Sequence, residues 1–161
     1  MSKPKKPGRF SREEAYEAFD TISKGSDLAV VLIATSLLDL SLENLLRYKF
    51  RKNSSTVDRL LHPNKGILGN IAGRAQLCYC LELISKSDYQ DLLTILEIRN
   101  LFAHNPRVLD FNDEQVVAQC KRLRAPCEVI TPNTEAYDKQ PKHSFRINVA
   151  TLWRRTHFYD Y

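Results

Sequence analysis

The sequence predicts an all-α protein, a single-domain helical bundle of about five to six helices. Apolar residues recur at helical spacing over most of residues 11–124. Ser, Asn and Gly stand where those helices should begin and end. Strand-like character is confined to one short piece, CEVIT, at residues 127–131. At 161 residues and 18.6 kDa the chain suits one domain that buries its own core.

Residues 1–10 form a Pro-rich basic arm, expected to be disordered, in which Lys3, Lys5, Lys6 and Arg9 are the cations. These supply most of the formal net charge of +5, so the folded body is close to neutral. Such an arm can touch phosphates or an acidic partner but cannot by itself read a base sequence. Ser11 with Glu14 makes a capping-box pattern, and Ala15, Phe19 and Ile22 continue one helical face until Gly25. Ser26 then caps a long helix to about Phe50, in which Leu28, Val31, Leu32, Leu38, Leu42, Leu45 and Leu46 recur at helical spacing. Apolar residues on its other faces mark it as the central helix. Asp39 and Glu43 lie one turn apart on it. They read first as a solvated stripe, with an acidic pair beside a cation or caps of a broken helix as the alternatives. The uncharged run from Leu28 to Leu38 has about half the length of a bilayer span, so no membrane crossing is expected. No apolar segment follows the basic start, so no signal peptide is read and a cytoplasmic location is expected.

Thr56 to Leu61 suits a short helix, and His62, Pro63, Asn64, Gly66 and Gly69 mark a loop. Helical period resumes from Ile71 to Ile84, an SKS turn follows, and Ser87 is expected to cap the next helix, which runs to His104. Asn112 with Gln115 opens a further helix to Leu123. Residues 125–142, broken by Pro126, Pro132 and Pro141, read as an irregular loop. Residues 143–161 supply a terminal helix packed on the core, with Arg146, Arg154 and Arg155 on its polar side. Arg154 and Arg155 join the arm as candidate contacts to nucleic acid or a partner.

Cys78 and Cys80 project about 200° apart on a helix and cannot chelate one ion, and Cys120 and Cys127 have no His pair beside them. All four read as ordinary thiols. No glycine-rich phosphate loop, nucleophile elbow or zinc spacing appears, and neither a metal nor a cofactor is expected.

The chemistry concentrates at RNLFAH, Arg99 to His104, followed by Asn105 and Pro106. Arg99 can hold a phosphate or a developing phosphorane, Asn100 can orient a hydroxyl or an imidazole, and His104 titrates near neutrality. These are parts enough for metal-independent RNA cleavage through the 2′-hydroxyl. Five helical residues, however, put Arg99 and His104 about 140° apart with a rise of about 7.5 Å. Pro106 should loosen the helix near His104 and let the imidazole turn toward the arginine face. Alternatively, a two-fold dimer brings two copies of the motif to one groove. The plainer reading pairs Arg99 with Glu97, Asp91 or Asp39 and leaves His104 capping the last carbonyls of its helix.

The R-N-x-x-x-H core resembles the HEPN superfamily, whose ribonuclease members carry an arginine and a histidine four to six residues apart. Residues 28–120 more closely resemble the bacterial mannitol operon repressor family. The resemblance lies in LIATSLLDLSLENLLRYKF, GILGNIAGRAQLCYCLELISKSDYQDL and EIRNLFAHNPRVLDF, with Gly66, Leu68, Gly69, Arg74, Leu83, Ile84 and Tyr89 in place. It implies a helical regulator that represses transcription without an evident DNA-reading helix-turn-helix, and none is read here. The expected partners are a second copy of the chain and an RNA or a protein. The resemblance carries Arg99, Asn100 and His104 as candidates for the nuclease alternative.

Overall fold

In a computed structural model, Glu17, Asp20 and residues 24–50, 55–105, 107–124 and 140–157 are described. Six helices are formed among them: α1 (Asp27–Lys49), α2 (Ser55–Leu61), α3 (Ile71–Cys80), α4 (Lys86–His104), α5 (Glu114–Cys120) and α6 (Pro141–His157). The expected all-α bundle is therefore found. The basic arm with Lys3, Lys5, Lys6 and Arg9, the CEVIT piece and Cys127 lie outside the described residues. So does most of the first expected helix, of which Glu17, Asp20 and Lys24 are described and helical.

α1 begins where the sequence places it, because the Ser26 hydroxyl accepts the Ala29 N–H and satisfies one of the helix's orphan donors. It is central, packing against α3, α4 and α6. Its Leu38, Leu42 and Leu46 are fully buried and meet Leu92, Ile95 and Ile98 of α4 and Phe145 and Val149 of α6 in one core. α1 is long and apolar enough to cross a membrane by composition, yet half of that stretch is buried inside the bundle. Phe102, Phe111 and Phe145 continue the core as a chain of tilted rings with centroids 5.5 and 5.3 Å apart.

Five boundaries, in four helices, differ from expectation. α3 stops at Cys80 and not at Ile84, because Glu82 turns to φ 56° and the Glu82 and Leu83 N–H groups bond back to Tyr79 and Cys78. That is a Schellman ending, with the buried Leu83 beyond it. α4 is capped by Ser85 and not by Ser87: the Ser85 hydroxyl takes the Asp88 N–H, and the Asp88 carboxylate takes the Ser85 N–H. α5 is preceded by Asp113 and not by Asn112, and it closes at Cys120, short of Leu123. α6 starts at Pro141, inside the segment expected as loop, since a proline suits the first helical position where its missing N–H costs nothing.

Cys78 and Cys80 fall on opposite sides of α3, one buried and one exposed, as their spacing requires. Burial pushes the Cys78 and Cys120 thiols up to about 12.

Candidate functional site

Asp39 and Glu43 are not a solvated stripe. The Arg74 guanidinium, 1% exposed, reaches across from α3 and pairs with Asp39 Oδ1 at 2.6 Å and Glu43 Oε2 at 3.0 Å. It also donates from Nε to the Leu68 carbonyl at 2.9 Å and from Nη2 to the Leu61 carbonyl at 2.8 Å. The acidic pair thus serves a cation, and that cation belongs to the protein. Burial raises the Asp39 carboxyl above its usual range, opposed by the hydrogen bond and charge of Arg74. Glu43 extends the network to Arg47, which pairs with Asp58 of α2 at 2.6 Å.

The two carbonyls come from either end of the loop at 62–69. Gly66 and Gly69 allow that loop to fold onto itself: a Cβ on Gly66 would lie 2.1 Å from the Leu60 carbonyl oxygen. No local pattern announces the Arg74 network, because Arg74 and Asp39 are 35 residues apart.

Beside this buried network lies an open groove of about 590 Å³ between α1, α4 and the start of α3. Leu32, Thr35, Ser36 and Asp39 of α1 line it, with Asn70, Ile71 and Ala72 at the start of α3 and Leu96, Arg99 and Asn100 of α4. Arg99 is half-buried and donates to the Asn100 side-chain oxygen at 3.1 Å. None of the expected carboxylates takes it. Glu97 pairs with Arg122, Asp91 accepts the Arg124 N–H, and Asp39 belongs to Arg74. Among the described residues, Arg99 forms no ion pair.

His104 does not join this groove. α4 stays helical through His104, so the imidazole is not released toward the arginine face. The chain turns extended one residue later, at Asn105 (φ −78°, ψ 131°), as expected of the residue before a proline. His104 is exposed, and among the described residues no hydrogen bond to its side chain is formed. Arg99 and Asn100 are thus brought together, and His104 is left apart within one chain.

At the far side of the bundle Arg155 is committed to Asp88 at 2.6 Å, which ties α6 to the capped start of α4, while Arg154 is exposed. Arg155 is therefore an intramolecular strut and not a free contact. Among the described residues no group of His, Cys, Asp and Glu is placed to hold a metal ion.

A family model for the mannitol repressor matches residues 13–157. No curated protein matches the chain significantly. Among solved structures, the chain is similar to one in the MtlR–HPr complex from Escherichia coli, at TM-score 0.69 and 18% identity over 89% of this chain and 98% of that one. It is also similar to YggD from Shigella flexneri, described as a possible transcriptional regulator, at TM-score 0.72 and 14% identity over 88% and 96% of the two chains.

Proposed function

Because the chain belongs to the mannitol repressor family, we propose that it is a cytoplasmic regulator that works as a homodimer through contacts with a protein partner. The observation that carries this reading is the face around Arg99. There a cation with no carboxylate partner among the described residues stands beside exposed Asn100 and shares a groove with exposed Leu32 of α1, and Leu28, one turn earlier on α1, is exposed as well. Protein interfaces favour such a mixture of an arginine anchor and apolar contacts. The similar Escherichia coli chain was solved with HPr, which supports a protein partner. The bundle offers less for DNA: on the basic side of α6, Arg155 is spent on Asp88.

Isothermal titration with the HPr of the same organism tests the reading. Saturable binding, weakened at least tenfold by Arg99→Glu, is the expected result. Absent binding, or equal binding by the variant, overturns the assigned partner or its placement.

The second reading is a metal-independent endoribonuclease, with Arg99 stabilising charge and His104 moving the proton. It is favoured by one fact: both side chains are accessible and neither is claimed by a carboxylate among the described residues. Since one straight α4 holds them apart, this activity requires the second copy. RNA cleavage that survives EDTA, leaves 2′,3′-cyclic phosphate ends and vanishes in both Arg99→Ala and His104→Ala is the outcome that establishes it. Intact RNA at high protein concentration removes it.

A further inference from the structure

The groove beside Arg99 has the size and lining of a small-ligand site, and the chemistry of that lining selects a ligand class. A volume of about 590 Å³ lies within the range of roughly 300–1,000 Å³ usual for small-molecule pockets. Its donors are the Arg99 guanidinium and the side-chain amides of Asn100 and Asn70. Both amides spend their oxygens locally, Asn100 on Arg99 and Asn70 on the Gly73 N–H, which leaves their side-chain N–H groups to donate elsewhere.

Its acceptors are of a different kind. The Thr35 and Ser36 hydroxyls donate to the Val31 and Leu32 carbonyls, so what they retain for a ligand is lone pairs. Asp39 adds a carboxylate that is paired with Arg74, which it shares with Glu43. The groove therefore combines an uncompensated cation and amide donors, which suit an oxyanion, with acceptors that suit hydroxyl groups. Leu32, Ile71 and Leu96 supply apolar wall for a carbon skeleton.

We infer that this groove binds a small hydroxylated oxyanion of the phosphate monoester class, with the oxyanion on Arg99, Asn100 and Asn70 and the ligand's hydroxyls toward Ser36, Thr35 and Asp39. The fork of Arg99 holds two phosphate oxygens at once, which a lysine cannot do. The inference does not rest on the protein-partner reading. A ligand effect with no HPr binding, and HPr binding with no ligand effect, are distinguishable results.

The test is titration of the full chain with glycerol 3-phosphate, followed by calorimetry and by thermal unfolding. Glycerol and sodium sulfate at matched ionic strength serve as comparison arms. Saturable binding of glycerol 3-phosphate is expected, with no binding of glycerol and at least tenfold weaker binding of sulfate. Arg99→Ala weakens the phosphate ester at least tenfold, and Arg99→Lys falls between the two. Arg122→Ala, which removes an exposed cation paired with Glu97 outside the groove, leaves binding unchanged. Unliganded thermal unfolding of each variant shows that it is folded. Equal affinity in wild type and Arg99→Ala, sulfate binding as well as the ester, or no saturable binding of glycerol 3-phosphate overturns the inference.

Discussion

Arg74 is 1% exposed and gives its guanidinium to two carboxylates and two backbone carbonyls, whereas Arg99 faces an open groove and reaches the neighbouring Asn100. The difference teaches what each arginine does. A guanidinium 1% exposed, with its acceptors supplied from α1 and from both ends of the 62–69 loop, holds elements together and is not open to a ligand. An arginine left without a carboxylate on an accessible wall costs the fold little and keeps its donors for something outside it.

The largest effect expected follows from breaking the first of these sites. Arg74→Met strands Asp39 beside a buried thioether, leaves Glu43 to Arg47 alone, and removes the donor from the Leu61 and Leu68 carbonyls. Urea unfolding should show a loss of about 3–5 kcal/mol. Gly66→Ala attacks the same site through its loop, since the new Cβ meets the Leu60 carbonyl oxygen at 2.1 Å and the backbone must shift. A loss of about 1–3 kcal/mol is expected in the same measurement. Glu82→Gly moves the other way. It relieves a non-glycine residue held at φ 56° and should stabilise by about 1 kcal/mol, read as a higher urea midpoint.

Asp39 sharpens the comparison through pH. Its folded carboxyl is raised by burial, so its contribution to stability is fully present below the ordinary value of 3.8 and is lost as pH rises through the raised folded value. The stability of wild type relative to Asp39→Asn should therefore fall as pH rises above the ordinary carboxylate value of 3.8. A flat difference would show that Arg74 fully offsets the burial. Smallest in energy is the thiol pattern. In native protein Cys80 should react with a thiol reagent, while Cys78 and Cys120, buried and pushed up to about 12, react on unfolding.

The same contrast explains how much could be read from the chain alone. Helix existence was legible because apolar period and caps are local: Ser26 sits three residues from the N–H it accepts. Ser85 was missed in favour of Ser87, since two serines flank one lysine and the Asp88 carboxylate that selects between them is visible in folded geometry. The end of α3 was missed because a left-handed residue is usually glycine, and here it is Glu82. RNLFAH singles out Arg99 by its residue types, but the carboxylates expected to pair with it, Glu97, Asp91 and Asp39, are taken by Arg122, Arg124 and Arg74 in the fold, and the rotation of a straight helix separates it from His104. Arg74 was noted among the residues of a family resemblance, but its partners lie 31 and 35 residues away, beyond any periodicity. The groove is equally non-local, with walls from three helices.

Arg74 serves the fold, and the role we propose for Arg99 is to serve a ligand or partner and not the fold. The most direct test of that role is the urea unfolding free energy of Arg99→Met beside that of wild type, with no ligand present. The account predicts the two to agree within about 0.5 kcal/mol, as for a substitution that removes no structural partner. A loss of about 2 kcal/mol or more would contradict it, because Arg99 would then be holding the bundle together as Arg74 does.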